Sequence, residues 1–509
     1  MIARFEKTPE AFQYWYSGTL LKYCERLPPA KKGWIRTLQS IRSSQRKWAK
    51  DHIEQTKTPK DIGVELAGFL MIEVFELEES GALFDGLDRL FGSNGDESFQ
   101  RSLGEWRNNS KKFAYGGWWQ VGNIFRDSKH AFQPFGTAPV IAGLPREVEN
   151  VALTLQRISS TMHLLTTEVR LSPEAKSAWK DIHGGDFLGK VRLRGWRPRY
   201  SYSFAMPEQA EREVYEQWLG AIQTGVETAL RPYVRGHFTR IRGRKRLPRI
   251  AVVVLRGGPD KPLDASAWKN HGGSWWRSHG LEVPIMGYSS DCFLYLPPLR
   301  RTEGAALLIL RDRFVASTKT EVYGGEDRAI QYFATEVLRE LSLWISVLEY
   351  VRRLTRRVER LRERAFKHVG SRRLVGRLKG SVSLSHEILE LELRIGRLKA
   401  EIDRIGRGEN EYTGEMLELW TIPGASRENL AKSMKDHVAS LLGLLEDQIG
   451  FVHRAHGEYL TLRNVATNES IQRWVMALTV FMAAVVVVDH WTQVVRMAAA
   501  VRSLVGLWK

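Results

Sequence analysis

The run from Trp474 to Val488 constrains this chain more than any other feature: fifteen consecutive residues of which only Thr479 is polar. As a helix it reaches about 22 Å, short of the roughly 20 residues that a 30 Å hydrocarbon core requires. Extension through "DHWTQVV" to Val495 supplies the length and puts Trp474 and Trp491 near the two interfaces, where indoles prefer to sit. Asp489 and His490 then fall near the far boundary, where burial of a charge costs less than at the centre. The remaining "VVRMAAAVRSLVGLWK" is open to two readings: a second span completing a short hairpin, or an interfacial amphipathic helix whose Arg502 and Lys509 reach head groups. A third alternative buries the whole end as a core helix of a soluble fold. At 100° per residue, Asp489, Thr492, Gln493, Arg496 and Ser503 lie within about a third of the circumference. Such a stripe can face a pore, so Asp489, Gln493 and Arg496 are the pore candidates.

The segments leading into this end are helical. Trp344, Val347, Val351, Leu354, Val358, Leu361 and Ala365 are spaced 3-4-3-4-3-4, the seam of a coiled coil. Leu384, Ile388, Leu391, Ile395, Leu398, Ile402 and Ile405 repeat the rhythm after the glycine-bearing "HVGSRRLVGRLKGS". Two antiparallel helices and two helices entering an oligomeric stalk both satisfy this pattern. "TIPGASRENL" interrupts the chain at Pro423-Gly424. From about Glu428 a third helix carries Leu430, Met434, Val438, Leu441, Leu445, Ile449, Val452 and Tyr459 on one stripe, and no strong breaker separates it from the apolar run. Continuous to Val488, it would be about 90 Å long.

The first half of the chain reads differently. From Pro9 to about Ser80 the pattern is taken as helical, ending in "GVELAGFLMIEVFELEES" as a packed core helix, because Val64, Ala67, Phe69, Leu70, Val74 and Leu77 recur at three-to-four-residue intervals. "DGLDRLFGSNGDES" from Asp85 to Ser98 has turn chemistry without the alternating ligands of a calcium loop, and is read as a loop. Ser172 followed by Pro173 and Glu174 marks a helix start. Strands are expected around Val191 and Leu193, at Tyr200 to Phe204, Arg249 to Leu255, Cys292 to Leu296 and Ala305 to Leu310. The all-apolar "AVVVL" and "ALLIL" suit strands buried on both faces beneath helices. The expected fold is therefore α+β, with a mainly helical region at 1–150, a mixed α/β domain at 151–325, a coiled-coil stalk at 326–473 and a membrane segment at 474–509.

Lys and Arg number 76 against 58 Asp and Glu, a formal charge of +18, which favours acidic partners. Eight of those cations and one His crowd "RPYVRGHFTRIRGRKRLPR". Arg231, Arg235, Arg240, Arg242, Arg244, Lys245, Arg246 and Arg249 are the anion-binding candidates, with Tyr233 and Phe238 available for base stacking, so a nucleotide or nucleic acid is the partner this cluster suggests. A solvated loop before a strand explains it equally well. The second basic block, Arg352 to Lys379, occupies non-seam positions and reads as a solvated helix face, with attraction to anionic lipid as its alternative. Only Cys24 and Cys292 are present, in keeping with a reducing compartment. The amino-terminal "MIARFEKTPEAF" lacks the apolar core of a secretory signal. Neither a phosphate-binding loop nor a dinucleotide glycine fingerprint occurs in suitable context. His279 stands only thirteen residues from Cys292 and His271 lacks a third ligand, so neither a catalytic dyad nor a zinc site is expected. No enzymatic activity is assigned.

The order of elements, a cytosolic α/β domain, a helical segment, one very long helix and a short carboxyl-terminal apolar hairpin with a basic end, resembles the CorA-like magnesium transporters. "YLTLRNVATNESIQRWVMALTVF", with Asn464 and Asn468 ahead of Leu478-Thr479, is similar to that family's stalk-to-membrane junction. The resemblance covers about Arg328 to Lys509. The family's Gly-Met-Asn signature is absent, and "DHWTQ" stands in its place, so magnesium selectivity does not carry over. The resemblance implies an oligomeric cone of long helices with both termini cytosolic, lodged in the cytoplasmic membrane, self-associating through the coiled coil and surrounded by lipid. Asp489 would be the nearest substitute for an entrance ligand. No cofactor is expected, and a divalent cation is the ligand the resemblance leaves open. A soluble nucleic-acid-binding or scaffolding protein with a hydrophobic assembly tail is the opposing class.

Overall fold

A computed structural model of the chain describes residues 58, 62–92, 97–109, 118–127, 140–141, 143–158, 162–185, 190–194, 201–205, 207–240, 247–257, 285–287, 292–295, 305–323, 325–369, 378–405, 418–419 and 428–506. The fold is α+β, and it divides into two compact units, one over 1–350 and 404–437, the other over 351–403 and 438–509.

The first unit is built on strand β1, Gly63–Glu76. This is the segment whose apolar spacing suggested a helix, and the expectation is wrong for a physical reason: from Phe69 to Phe75 every residue is buried, so both faces of the strand are apolar and the alternation that betrays a half-buried strand disappears. β-branched Val64, Ile72 and Val74 and aromatic Phe69 and Phe75 suit the pleated surface. The helix begins only afterwards, as α1, Leu77–Phe91. The expected loop at 85–98 is accordingly helix up to Phe91, and α2 opens at Glu97–Asn109, leaving 93–96 outside the described residues.

Strands β2 (Trp118–Phe125), β3 (Val140–Ile141), β4 (Val148–Arg157) and β5 (Met162–Leu171) extend the sheet on one side of β1. On the other side lie β8 (Arg249–Arg256), β11 (Ala305–Leu310), β10 (Cys292–Tyr295) and β9 (Ile285–Gly287), giving the order β3-β2-β4-β5-β1-β8-β11-β10-β9. Strands from both sides of residue 150 share this one sheet, so it runs across the boundary expected there. β1 is antiparallel to both neighbours, whereas β11 runs parallel to β8. At Gly68, next to an irregularity in the β1–β8 register, a Cβ would meet the Val169 carbonyl oxygen at 2.4 Å, so only glycine lets β5 approach. The expected strands at Val191, at Ser201 to Phe204 and at 249–255, 292–295 and 305–310 are present; β6 (Lys190–Arg194) and β7 (Ser201–Ala205) form a separate hairpin.

Helices cover the sheet. Helix α3, Pro173–His183, starts where Ser172 predicts, its Oγ accepting from the Ala175 amide at 3.3 Å with Pro173 in the first turn. Together with α1, α2 and α4, Pro207–Leu230, it packs Phe84, Leu87, Phe91, Trp179, Leu219 and Val226 against Leu66, Phe69, Met71 and Phe75 of β1. A buried pair, His183 Nδ1 and Glu211 Oε1 at 2.6 Å, ties α3 to α4. The opposite face, with Leu70, Ile72, Val74, Ile250, Val252 and Val254, is equally buried. Helix α7, Glu326–Val369, reaches this side: its Thr335 hydroxyl donates to Glu168 of β5 at 2.8 Å. Short α5 (His237–Arg240) and α6 (Arg311–Ser317) complete the unit, with a two-stranded pair of β12 (Glu418–Leu419) and β13 (Glu428–Asn429).

The second unit packs three helical segments: the end of α7, α8 (Leu378–Ile405) and α9 (Leu430–Gly506). Ion pairs set their directions. Arg357–Glu390 and Arg364–Glu387 make α7 and α8 antiparallel, while Lys399–Glu446 and His453–Glu392 make α8 and α9 antiparallel. Phe366 of α7 faces Phe451 of α9 across 6.5 Å between ring centroids. Val351, Leu354, Val358, Leu361 and Ala365, then Leu384, Ile388, Leu391, Ile395, Leu398 and Ile402, then Val438, Leu445, Ile449 and Val452 are all buried. The heptad positions are therefore buried within the chain itself. On α9 the buried position is Leu442, not the expected Leu441.

Candidate functional site

Helix α9 continues past this packed region without a break. After Gly457 the chain meets neither Gly nor Pro until Gly506, which removes the two residues that terminate helices. The described backbone thus runs as one helix to Gly506, which corrects the hairpin alternative: no turn interrupts it. Every described side chain from Asn464 to Val501 is exposed, including Trp474 at 74%, Val480 at 60% and Val488 at 62%. Among the described residues this is the one helix long and apolar enough to cross a membrane by length and composition. The alternative in which these valines fill a core of their own chain is overturned by that exposure.

The composition of this stretch is compatible with a transmembrane helix. The hydroxyl of Thr479, the single polar side chain of the run, donates to the Val475 carbonyl at 2.8 Å, so it is satisfied by the helix itself. Trp474 and Trp491 are separated by 17 residues, about 26 Å of helix rise. On the near side, "NVATNESIQR" from Asn464 to Arg473 is polar, with Glu469 and Arg473 in an exposed pair at 3.6 Å. On the far side, Thr492, Gln493 and Arg496 are helical and exposed, and Asp489 stands in the helix one turn before them, its side chain outside the described residues. Asp489, Gln493 and Arg496 thus stand on one continuous helix.

The basic cluster is less uniform. Arg231 and Arg235 are exposed, and Arg235 Nε donates to the Arg231 carbonyl at 3.0 Å. Arg240 meets Glu79 Oε1 at 3.0 Å, and Arg249 is held by Glu216 and by Gln223 Oε1. Arg242, Arg244, Lys245 and Arg246 lie outside the described residues, as do His271, Trp275, Trp276 and His279. Two of the four described cations are therefore already engaged by carboxylates. Cys292 is buried in β10.

A buried polar cluster escaped sequence reading because it depends on β1 being a strand. Glu73 accepts the backbone amides of Phe238 at 2.7 Å and Thr239 at 3.0 Å. At Gly236 a Cβ would strike the Val74 carbonyl and the Glu73 side chain, at 2.5 and 2.6 Å, so glycine admits this contact. Glu76 accepts from the Tyr350 hydroxyl at 2.8 Å and lies 3.1 Å from His237 Nδ1, which fastens α7 to the end of the sheet. Burial pushes the Glu79 carboxyl up, opposed by the Glu76 amide and by Arg240. His163, fully buried against Ser80 Oγ at 3.0 Å, is pushed down to about 4 by desolvation and, secondarily, by Arg157. The acids standing inside an apolar strand, Glu73 and Glu76, were the available signal. Glu73 and Glu76 are satisfied within the cluster and act as a latch between elements, whereas His163 Nε2 is buried without a hydrogen-bond partner among the described residues.

No protein-family model matches the chain, and no curated protein or solved structure matches it either.

Proposed function

We propose that α9 is a membrane-spanning helix that carries the α+β unit to a lipid bilayer, and that the protein is an oligomeric, CorA-like membrane protein that conducts ions or perturbs the membrane. The observation that carries this reading is the complete exposure of Asn464 to Val501 around the most apolar run of the chain. The eleven large apolar side chains exposed between Trp474 and Val488 would cost on the order of 1.5–3 kcal/mol each in water relative to burial, which only lipid or other chains can recover. The bulk of the chain is then cytosolic and the membrane the cytoplasmic one. A single unbroken helix departs from the CorA-like layout, since it sends the carboxyl terminus across the bilayer instead of returning it.

The stripe of Asp489, Gln493 and Arg496 supplies the polar wall of a conducting path when several copies assemble, with Asp489 as the residue a divalent cation would meet. Reconstitution into liposomes tests this: a dye-coupled ion flux that disappears in the Asp489→Leu, Gln493→Leu and Arg496→Leu chain supports conduction, and an equal flux from that chain refutes the stripe as its path. The exposed Arg231 and Arg235 favour a second reading, in which the basic loop holds a nucleotide or nucleic acid and the tail serves assembly. A salt-sensitive complex with single-stranded nucleic acid, abolished by Arg231→Ala with Arg235→Ala, would support it.

A further inference from the structure

The seams that suggested self-association are consumed inside one chain, so copies must meet on another face, and α8 has one. Its exposed residues between 381 and 400 are Val382, Ser383, His386, Leu389, Leu393, Gly396, Arg397 and Ala400. Six of these, Val382, His386, Leu389, Leu393, Gly396 and Ala400, step 4-3-4-3-4, the same rhythm as the buried seam displaced by two residues. None of the six is Asp, Glu, Lys or Arg, although Val382 is 66% and Leu393 62% exposed. The other two helices of the unit mix charge into their exposed faces: α7 exposes Glu359, Arg360, Arg362 and Glu363 beside Phe366, and α9 exposes Glu446, Asp447, Arg454 and Glu458 beside Leu444 and Phe451. Gly396 sits mid-helix, and among the described residues nothing lies within 4 Å of where a Cβ would stand, so the face is open there, as it is at Gly443, Gly450 and Gly457 of α9.

We infer that this outer face of α8 is a parallel helix-pairing surface whose occupant is the same face of a second copy. A 4-3 repeat fits a helix of matching repeat, and a face shared by both copies is self-complementary about a two-fold axis. Membrane insertion of α9 orients every copy alike along the bilayer normal, which makes the two α8 helices parallel; this part rests on the membrane reading above. The flanking charges agree with that direction. With Leu393 and Leu389 at the pairing positions, Glu392 on one side of the seam faces Arg397 of the second copy five residues on, an opposite-charge pair made twice by symmetry. Glu392 keeps His453 at 2.7 Å, and Arg397 is exposed. The face is short, about 27 Å for 18 residue steps, so its affinity is modest and depends on the raised local concentration that shared anchoring supplies.

The test uses the full chain in membranes, with Cys24→Ser to remove one thiol and buried Cys292 retained. Val382→Cys, Leu389→Cys and Leu393→Cys are introduced singly and oxidised, with Arg362→Cys on α7 and Ser440→Cys on α9 as exposed references. The expected result is disulfide-linked dimer at all three α8 positions, at roughly fivefold or more above the references, as anchoring at millimolar effective concentration allows. Linkage no greater than the references in chains still recovered with membranes overturns the surface and leaves the membrane reading standing. Linkage at Leu393→Cys without any at Val382→Cys overturns the parallel register. Chains washed off the membrane contradict the earlier reading separately. Leu389→Glu with Leu393→Glu, both at exposed positions where folding is undisturbed, lowers the linked fraction of a Val382→Cys chain about tenfold, equivalent to a loss of about 1.4 kcal/mol.

Discussion

The two halves of α9 are one continuous helix with opposite relations to the rest of the chain. From Val438 to Val452 a moderately apolar stripe is buried at every turn in the three-helix unit, while the opposite face carries Glu446, Asp447 and Arg454. From Asn464 to Val501 the helix is far more apolar and wholly exposed. In a water-soluble fold the order would be reversed, because the most apolar surface is the first to be withdrawn from solvent. The difference teaches that periodicity and density of apolar residues specify different solvents. A stripe with charged flanks specifies a protein partner, and an unbroken apolar circumference specifies lipid.

Substitutions that treat the halves unequally probe the comparison most strongly. Ile449→Ala removes a fully buried side chain from the three-helix core and should cost about 2–5 kcal/mol, whereas Val486→Ala should shift the same urea transition by no more than about 0.5 kcal/mol. Equal losses would mean that the tail also packs within its own chain. Met482→Arg, near the midpoint between Trp474 and Trp491, should weaken membrane retention by about 2.5–3.5 kcal/mol, and Glu469→Arg outside the apolar run should leave it unchanged.

Acidity separates the units in another way. Folding holds His163 at about 4, below its ordinary 6.5, so the unfolded chain takes up the proton first and stability falls as pH drops from about 6.5 towards 4. Between pH 7 and pH 5 the expected loss is about 2 kcal/mol, and it should vanish from the pH difference in His163→Gln. Glu79, raised by burial, contributes with the opposite sign, gaining stability as pH falls through its elevated range. Membrane retention should not follow this titration, since no ionisable side chain lies between Trp474 and Val488. The smallest effect is expected on the outer face of α8: Leu393→Ala should change the stability of the chain by less than about 0.5 kcal/mol, against several for Leu391→Ala two residues away.

The helical second half was legible because its repeats are long and its partners are other helices of the same repeat: Leu384 to Ile402 lie buried where the spacing places them. The strands at 249–255 and 305–310 were legible from their valines and leucines. β1 was not, since a strand buried on both faces presents an apolar run that spacing cannot distinguish from a helix, and with it went the latch of Glu73, Glu76 and Tyr350. β4 and β5 were missed for a related reason. Their Thr154, Thr166, Thr167 and Glu168 lower the apolar signal, yet Thr166 donates to the Thr154 carbonyl at 3.2 Å and is satisfied in place. Of the candidate site, the sequence displayed the apolar run and its polar stripe, while whether that run is covered is a tertiary fact.

Alkaline carbonate extraction compares the full chain with one ending at Ile471, which lacks the last 38 residues. The full chain should remain with the membrane pellet and the shortened chain should pass to the supernatant, folded through its sheet and three-helix core. A full chain released by carbonate, or a shortened chain retained as firmly, would contradict a lipid-crossing α9.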